Sequence, residues 1–495
     1  MRSRTAVSAV AVGICVLLTP LTGCGRGGTG HQPSASNGGT PAAGGPSAPA
    51  ESRSPSPGKG SKDPDDINGD GYRDLMVPVS TGGDRGALGR DERVGVVYGS
   101  AKGLSPSTRT VYGARDLGLP RPAENAVRDA VEADKFVTAD LDGDGFPDFV
   151  TTVAGERVTA GKITAARSVA YVTWGGPHGP TKGSGATAVR LPQSVSKLGV
   201  ESVVRGDFDG DGHHDLAALG LDRSSVVLLY GPFTRSGAPT RTDTRLAEEY
   251  SRLVADEIDP SGKPRATPLL IHAVGDGEQS GNTLYTARRG TGLSQSGKQL
   301  RRGNAHTFGD FDGDGQRDVV IGDDGSRNNE PGFETEAPEV DGSLTVYPGK
   351  GGAPVTHRLP KAPKGAATGY GPGGFVAADP DGDGRDGILV ATYEGGTLID
   401  GDERTRVRRD GPARANGRKT PAKWRHARPA GAADFNSDGK DELIMNWGSG
   451  TTFGLYGDIP THWWITDGTT SRDKASFATT GFAARTSSSG ASPTG

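Results

Sequence analysis

The chain has 495 residues and a formal net charge of −4 at pH 7. This acidic balance argues against nucleic acid as a partner, because domains that bind nucleic acid carry a basic patch. Glycine and proline supply 80 and 34 residues, whereas apolar residues make up only 33% of the chain. Such a composition is typical of a turn-rich β protein whose core is divided among small repeated units.

The N-terminus has the features of an export signal. Arg2 and Arg4 precede an apolar stretch over residues 6–18, which is too short to span a bilayer as a helix. Leu21-Thr-Gly-Cys24 follows and resembles the lipobox of bacterial lipoproteins, in which the cysteine becomes the lipid-modified first residue. The resemblance implies a signal peptide over 1–23 and an extracytoplasmic protein held at the cell membrane by a lipid at Cys24. Plain secretion and an uncleaved anchor are the alternatives.

The next segment is predicted to be a tether. Residues 24–62 are rich in Gly, Ser, Pro, Ala and Thr, a composition that predicts a disordered linker without a core of its own. Cys15 is the only other cysteine of the chain and would leave with the signal peptide. The exported body would then contain no disulfide, so bound calcium is the candidate source of its rigidity.

Six short acidic loops recur along the rest of the chain. Each has oxygen-bearing side chains at positions 1, 3 and 5 and a glycine at position 6, a pattern that suits Ca²⁺. An EF-hand would close with a glutamate at position 12, whereas five of these loops have their closing acid at position 9. The predicted metal ligands are Asp66, Asn68, Asp70 and Asp74; Asp140, Asp142, Asp144 and Asp148; Asp207, Asp209, Asp211 and Asp215; Asp310, Asp312, Asp314 and Asp318; Asp379, Asp381 and Asp383; and Asp434, Asn436, Asp438 and Glu442.

The six loops are not equivalent, so the sequence predicts five to six calcium sites. The fifth loop has Asp386 at position 8 and Gly387 at position 9, which leaves its closing ligand in doubt and predicts the weakest site. The sixth loop uses Asn436 and the longer acid Glu442. For any single loop, the alternative is an acidic Asx-turn that binds no metal.

The segments beside the loops predict strands. Runs of apolar and β-branched residues leave the loops, as in Phe149-Val-Thr-Thr-Val153 and Leu443-Ile-Met445, so each loop is predicted to join two neighbouring strands. Further strand-and-turn segments follow, such as Val94–Leu104 and Val226–Pro232. Loops and flanks together resemble FG-GAP repeats, also called integrin-α-like or VCBS-type repeats. The resemblance implies a β-propeller with calcium in its loops, and it implies no particular ligand.

The spacing of the loops predicts the number of blades. Successive loops start 55 to 74 residues apart, except for the 103 residues between Asp207 and Asp310. That interval contains Asp256-Glu-Ile-Asp259 and then Leu269-Leu-Ile-His272, which we interpret as a blade whose loop has degenerated. The sequence therefore predicts an all-β fold with a seven-bladed propeller over 63–486 and a disordered tail over 487–495.

Closure of the ring is predicted to involve the C-terminus. The first loop has no strand before it, whereas Thr480–Arg485 is similar to Gly374–Asp379 but has no loop after it. We therefore expect residues 475–485 to pair with the strand after Asp74 and to seal the edge of the first blade.

No catalytic motif is present in the sequence, and no catalytic residue is predicted. The nine histidines are scattered, and His213 and His214 are interpreted as exposed spacers. Trp463 and Trp464 are interpreted as part of an outer strand with one ring buried, with a sugar-stacking platform as the alternative. The favoured function is a monomeric adhesion or binding module for an unknown protein or glycan. A polysaccharide lyase or hydrolase on the same scaffold is the alternative, which a cluster of acids and histidines at one mouth of the ring would favour.

Overall fold

The computed structural model is almost entirely β. It describes residues 45–49, 51–80, 92–123, 136–160, 163–222, 224–246, 251–275, 278–328, 335–361, 374–415, 417–448, 459–468 and 472–482. These residues all belong to one compact unit, Ala43–Gly495. The predicted signal peptide, Cys24, residues 25–44 and the tail over 487–495 lie outside them. Within the described residues, no helix has both the length and the apolar character that crossing a bilayer requires.

Seven antiparallel sheets follow one another along the chain, and each forms a blade. Blade 1 contains β1 (Leu75–Ser80), β2 (Glu92–Val97) and β3 (Arg109–Tyr112). Blade 2 contains β4 (Val137–Ala139), β5 (Asp148–Ala160), β6 (Ile163–Thr173) and β7 (Thr187–Ala188), and a short helix α1 (Gln193–Ser196) follows it. Blade 3 contains β8 (Val200–Gly206), β9 (Asp215–Gly220), β10 (Ser225–Tyr230) and β11 (Arg241–Leu246).

The other four blades repeat this order. Blade 4 contains β12 (Ser251–Ala255), β13 (Leu269–Ala273), β14 (Asn282–Tyr285) and β17 (Lys298–Leu300), with a small hairpin of β15 (Ala287–Arg288) and β16 (Gly292–Leu293). Blade 5 contains β18 (Ala305–Gly309), β19 (Asp318–Gly322), β20 (Ser343–Tyr347) and β21 (Val355–Arg358). Blade 6 contains β22 (Phe375–Ala378), β23 (Gly387–Thr392), β24 (Gly395–Asp400) and β25 (Glu403–Val407). A hairpin of β26 (Arg414–Ala415) and β27 (Arg418–Lys419) and a 3₁₀ turn (Ala422–Trp424) lead to blade 7, which contains β28 (Arg428–Ala433), β29 (Glu442–Trp447), β30 (His462–Thr466) and β31 (Asp473–Ala478).

The core is divided among the interfaces between blades. Neighbouring residues of β9 show this division: Leu216 and Ala218 belong to the cluster shared with blade 2, whereas Ala217 and Leu219 belong to the cluster shared with blade 4. Alternate side chains of a strand point to opposite faces, so a strand buried on both faces serves two interfaces. Seven apolar clusters join the seven sheets, including one between blades 7 and 1, and this closes the ring.

The blade inferred without an acidic loop is present as blade 4. Its two inner strands, β12 and β13, flank residues 256–268, so the long interval does contain one further blade. The predicted all-β, seven-bladed fold is therefore confirmed.

The predicted pairing at the ring closure is wrong. Strand β31 pairs with β30 as the outermost strand of blade 7, and among the described residues β1 pairs only with β2. The inner position of blade 1 is filled by the residues just before the first loop, where the Asp74 N–H donates to the Asp65 carbonyl at 2.9 Å. The C-terminal segment instead contributes to ring closure by side-chain packing, because Phe482 packs among apolar residues of blades 7 and 1.

Part of the predicted tether also belongs to the propeller, and this corrects the boundary at residue 62. The Ser47 carbonyl accepts the Ala478 N–H of blade 7 at 3.2 Å. The backbone N–H of Arg53 donates to the Ser107 carbonyl at 2.7 Å, and the Arg53 carbonyl accepts the N–H of Arg109 at 3.1 Å. Arg109 begins the outer strand of blade 1. The described part of residues 45–62 therefore runs across the seam between the last blade and the first.

Both tryptophans of the Trp463-Trp464 pair are buried, at 5% exposure each. They point to opposite faces of β30, so that Trp463 packs toward blade 1 and Trp464 toward blade 6. The interpretation with one exposed ring is therefore wrong, and neither ring is available as a platform for a sugar.

Candidate metal centres and channel mouth

The six acidic loops share one backbone conformation, and five of them connect the inner two strands of a blade, whereas the first leads into β1. Their fourth and sixth residues all have positive φ angles, between 57° and 91°. Glycine occupies these positions except at Ser437, which is the only non-glycine residue with positive φ among the described residues. This left-handed backbone folds the loop tightly and turns its side-chain oxygens toward one point.

The first aspartate of each loop organises the turn. In the first loop, Asp66 accepts the N–H groups of Asp70 at 3.0 Å and Gly71 at 2.7 Å. The first aspartates of the third to sixth loops accept the same pair of N–H groups, and Asp140 of the second loop accepts that of Gly145 at 3.0 Å. The loop backbone thus orients this carboxylate without any metal.

The acid at position 9 fastens the loop to its blade. One oxygen of Asp215 accepts the N–H of Phe208 within the loop, and the other accepts the N–H of Gly231 after the third strand, both at 2.8 Å. Asp74, Asp148 and Asp318 make the same two contacts in their own blades. A carboxylate oxygen has two lone-pair sites, so each oxygen can accept an N–H and still bind a cation.

The structure brings the predicted ligands together in four loops. In three of them, carboxylate oxygens from positions 1, 3 and 9 lie within 4.8 Å of one another, so the ninth residue lies in the same cluster. In the fifth loop, positions 1, 3 and 5 converge without a closing acid. These groups are Asp140, Asp142 and Asp148; Asp207, Asp209 and Asp215; Asp310, Asp312 and Asp318; and Asp379, Asp381 and Asp383.

Three buried oxygens in the loops test whether a cation fits. Asn68 Oδ1, Asp140 Oδ1 and Asp209 Oδ1 are buried and accept no hydrogen bond. Unsatisfied buried oxygens are costly, and oxygens at positions 1 and 3 of such a loop are the ligands that Ca²⁺ prefers. The donor set of the first three loops therefore fits a hard divalent cation.

Burial raises the pKa values of these crowded carboxyl groups. The pKa is raised to about 6 for Asp66, Asp207 and Asp318 and to about 8 for Asp148 and Asp215. Desolvation is the largest cause in every case, and neighbouring carboxylates of the same loop add to it. A bound cation would counter both effects.

The residue at position 8 links a loop to the preceding blade instead of binding metal. In three blades it accepts the N–H of the first aspartate of the preceding loop. These hydrogen bonds run from Asp140 to His214 Nδ1 at 2.8 Å, from Asp310 to Asp386 Oδ2 at 2.7 Å and from Asp379 to Asp441 Oδ2 at 2.9 Å. In the fifth loop, position 9 is Gly387, and Asp386 cannot replace the missing acid because its side chain faces the preceding blade. His214 is buried, which corrects its interpretation as an exposed spacer, and burial lowers its pKa to about 3.

A cavity of about 800 Å³ lies at the centre of the ring, at the end that carries the acidic loops. Inner strands of blades 4 to 7 form its apolar wall, which includes Val254, Phe308 and Phe375. Six acids and two arginines surround this wall. These charged residues are Asp63, Asp256, Glu257, Asp386, Asp434 and Asp441, with Arg73 and Arg317. Half of this set occupies position 8 of an acidic loop, which is a signal that the repeat pattern carries: Arg73, Arg317, Asp386 and Asp441. Asp63, Asp256 and Glu257 lie outside the six loops, so the repeats do not reveal them.

Arginines neutralise part of this acidic surface. Arg73 pairs with Asp63 at 2.8 Å, and Arg317 bridges Asp256 and Asp386 at 3.1 Å each. Glu257 is 56% exposed, and its nearest base is Arg73 at 3.8 Å. Asp441 accepts the N–H of Asp379, and its pKa is raised to about 7 by burial and by its acidic neighbours. The channel mouth therefore carries a surplus of carboxylate groups.

Comparisons with known proteins agree with this architecture. A family model described as the FG-GAP repeat matches residues 135–165, which include the second acidic loop. The chain contains an FG-GAP repeat within a seven-bladed β-propeller. No curated protein sequence matches this propeller at a significant level.

Several solved structures resemble this propeller at low sequence identity. BBS1N in complex with ARL6DN, from a mercury-soaked crystal, has 11% identity over 81% of this chain and 91% of that chain, with a TM-score of 0.39. A mutant of AofleA from Arthrobotrys oligospora has 11% identity over 64% and 79%, with a TM-score of 0.31. The V. cholerae biofilm matrix protein Bap1 has 12% identity over 79% and 88%, with a TM-score of 0.26. Likenesses at this level do not identify a function.

Two substitutions in the third loop separate metal binding from the backbone clamp. Asp209→Asn removes a carboxylate whose Oδ1 accepts no hydrogen bond and whose Oδ2 pairs with the exposed Arg241 at 2.6 Å. Its cost should therefore be larger in calcium and fall to at most about 1 kcal/mol in chelator, where only the ion pair is lost. The expected loss in calcium is about 1.4 kcal/mol at a free concentration tenfold above Kd. Asp215→Asn should also destabilise the protein by about 1–3 kcal/mol in chelator, because its amide has one oxygen and leaves one of two buried N–H donors without an acceptor. Chemical denaturation with calcium or EDTA measures both values.

Asp243→Asn is the matched control, because this acid lies in the same blade on strand β11, outside the loop. It removes an ion pair with Arg245, so any small cost should be the same in calcium and in EDTA. An equal loss for Asp209→Asn in calcium and in EDTA would contradict a metal-binding role for the third loop.

The effect of calcium on stability should grow with pH. The raised pKa values mean that the folded, metal-free protein holds protons that the unfolded chain releases near pH 4. This contribution is fully present below about pH 4 and is lost as pH rises to between 6 and 8, so the melting temperature in EDTA should fall over that window. Calcium replaces the protons, and its increment in melting temperature should therefore widen from pH 5 to pH 8. A constant increment across these pH values would count against the loops as the calcium sites.

Proposed function

We propose that this protein is a calcium-stabilised propeller that works outside the cytoplasm as a binding module for another macromolecule. The calcium proposal rests on the converging loop oxygens and on the three buried oxygens without hydrogen bonds. We assign ions to the first five loops, with the fifth as the weakest because it lacks a closing acid. Extracellular calcium modules bind at about 10⁻⁴ to 10⁻³ M, so several such sites together would rigidify the ring.

The binding role rests on the cavity at the channel mouth. Its volume of about 800 Å³ falls within the range of ligand sites, and its apolar wall and charged rim supply both burial and orientation. The surplus carboxylates, of which Glu257 is the most accessible, favour a partner with a positively charged surface. The burial of Trp463 and Trp464 removes the aromatic pair that suggested a glycan, so a protein partner is favoured over a neutral glycan.

The alternative of a carbohydrate-active enzyme receives less support, although acids do gather at one mouth of the ring. Arg73 and Arg317 pair with several of these acids, which suits charge recognition more than proton transfer. His306 lines the cavity, but it is half-buried, its Nε2–H donates to the Gly303 carbonyl at 3.0 Å, and desolvation lowers its pKa to about 3. A histidine in this state is a poor proton carrier near neutral pH.

The N-terminal sequence supports a proposal for the location of the protein. We propose that Cys24 is acylated after cleavage of residues 1–23 and that the lipid holds the propeller at the outer face of the cell membrane. One acyl chain gives only marginal membrane binding, so two or three chains are needed for a stable anchor.

The partner-binding proposal is tested by reversing charge at the channel mouth. Glu257→Lys should remove most crosslinking between the surface protein and a native partner in calcium-containing medium, because it reverses the most exposed carboxylate of the cavity. Glu403→Lys is the control, since Glu403 is an exposed acid on the outer strand β25. Equal crosslinking of a purified partner by wild type, Glu257→Lys and Glu403→Lys would contradict the channel mouth as the binding surface. Binding to a glycan array and to no protein would contradict the choice of a protein partner.

The anchor is tested by metabolic labelling with an alkyne fatty acid. The wild-type chain should incorporate the label and sediment with membranes, whereas Cys24→Ser should lose both properties while the propeller still melts as in wild type. Labelling that persists in Cys24→Ser would contradict the assignment, and Cys15→Ser is the matched control that should retain the label.

A further inference from the structure

The closing acid of the sixth loop has a different partner from those of the other loops. In four loops, the second oxygen of the closing aspartate accepts the N–H of a glycine after the third strand. These aspartates are Asp74, Asp148, Asp215 and Asp318. Glu442 keeps the first contact, because its Oε2 accepts the N–H of Phe435 at 3.0 Å. Its Oε1, however, accepts a hydrogen bond from the ammonium group of Lys474.

Lys474 extends from β31, the outermost strand of the same blade, into this loop. Its Nζ also lies 3.9 Å from Asp438 Oδ2, so the ammonium group stands between the side chains of positions 5 and 9. Glu442 is 1% exposed and Lys474 is 30% exposed, which places this ion pair largely out of solvent. Among the described residues, no closing aspartate of another loop forms an ion pair with a lysine or an arginine.

The place at which the cation binds supports the same conclusion. Cations also pair with acids of other loops, but they approach positions 1, 3 or 5, as Arg235 does at Asp142 and Asp144. Within the described part of the chain, only in the sixth loop does a cation reach the acid at position 9. The sixth loop carries three carboxylates, because position 3 is Asn436, and Lys474 reduces their formal charge from −3 to −2.

We propose that the ammonium group of Lys474 takes the place of the metal ion in the sixth loop, which thereby folds without calcium. This inference rests on the proposed calcium binding of the other loops. It changes the expected stoichiometry, because the chain then has one site fewer than it has acidic loops.

The position of the loop gives this substitution a consequence. The sixth loop lies at the seam between the last blade and the first, where Ser437 Oγ donates to the Gly71 carbonyl at 3.1 Å. The Phe435 carbonyl accepts the N–H of Ser100 of blade 1 at 3.3 Å. A cation that belongs to the chain offsets part of the negative charge of this loop at any calcium concentration, so the ring stays closed when calcium leaves the other loops.

Lys474→Met tests the proposal, because it keeps an unbranched side chain and removes the charge. Protein purified in calcium is counted for bound calcium by metal analysis after gel filtration, and its melting temperature is measured in calcium and in EDTA. We expect Lys474→Met to bind one more calcium ion per chain than wild type and to show a larger fall of melting temperature in EDTA. Purification in calcium ensures that a variant that folds only with the ion is still measured.

Two variants serve as controls. Lys440→Met removes an exposed lysine of the same loop and should leave the calcium count and the EDTA response unchanged. Lys474→Arg retains the positive charge and should also keep the wild-type count. Equal, non-zero counts for wild type and Lys474→Met would overturn the role of Lys474 alone, whereas a count of zero in wild type would contradict the calcium proposal itself.

Discussion

The fold depends on how buried carboxylates are held at the turn between the inner strands of each blade. Removing a carboxylate from water costs several kcal/mol unless hydrogen bonds and a cation compensate it. In this protein, backbone N–H groups supply the first compensation: Asp215 accepts one from its own loop and one from the turn after the third strand. The loop, the second strand and the third strand of the blade therefore share one charged group, and the proposed cation supplies the second compensation.

The same loops also couple one blade to the next. The N–H of Asp310 donates to Asp386 of the following blade, and the N–H of Asp379 donates to Asp441 of the blade after that. The first residue of a loop thus takes part in its own turn through its carboxylate and in the inter-blade contact through its backbone. A cation that stabilises a loop would for this reason also stabilise the interface beside it. Apolar packing supplies the rest of each interface, as the cluster shared by Val320 of blade 5 and Phe375 of blade 6 illustrates.

The repeated features of the chain could be predicted from the sequence, because each depends on residues close together along it. Spacing and strand patterns gave the seven blades, including blade 4, whose inner strands lie on either side of Asp256 rather than of an acidic loop. The ninth-position acids were also predictable, since glycines at fixed positions fold each loop onto Asp148 and its equivalents. The mutual approach of these residues requires no information from distant parts of the chain.

Features that depend on distant contacts could not be predicted in this way. Composition suggested a free tether up to residue 62, whereas backbone hydrogen bonds join Arg53 to the outer strand of blade 1. Sequence similarity suggested that the C-terminal segment fills the first blade, yet β31 completes the seventh. The roles of Lys474 and Asp386 depend on which side of a turn faces the neighbouring strand or blade. That orientation is set by the packing of sheets, which a local motif does not encode.

The central claim is that divalent ions occupy the acidic loops of the folded ring. Anomalous diffraction from crystals grown in calcium, with data collected also after exchange for terbium, tests this claim most directly. The account predicts an anomalous peak among the carboxylates of Asp140, Asp142 and Asp148, corresponding peaks in the first, third and fourth loops, and a weaker peak in the fifth. A propeller with ordered loops and no anomalous peak at these positions would contradict the account.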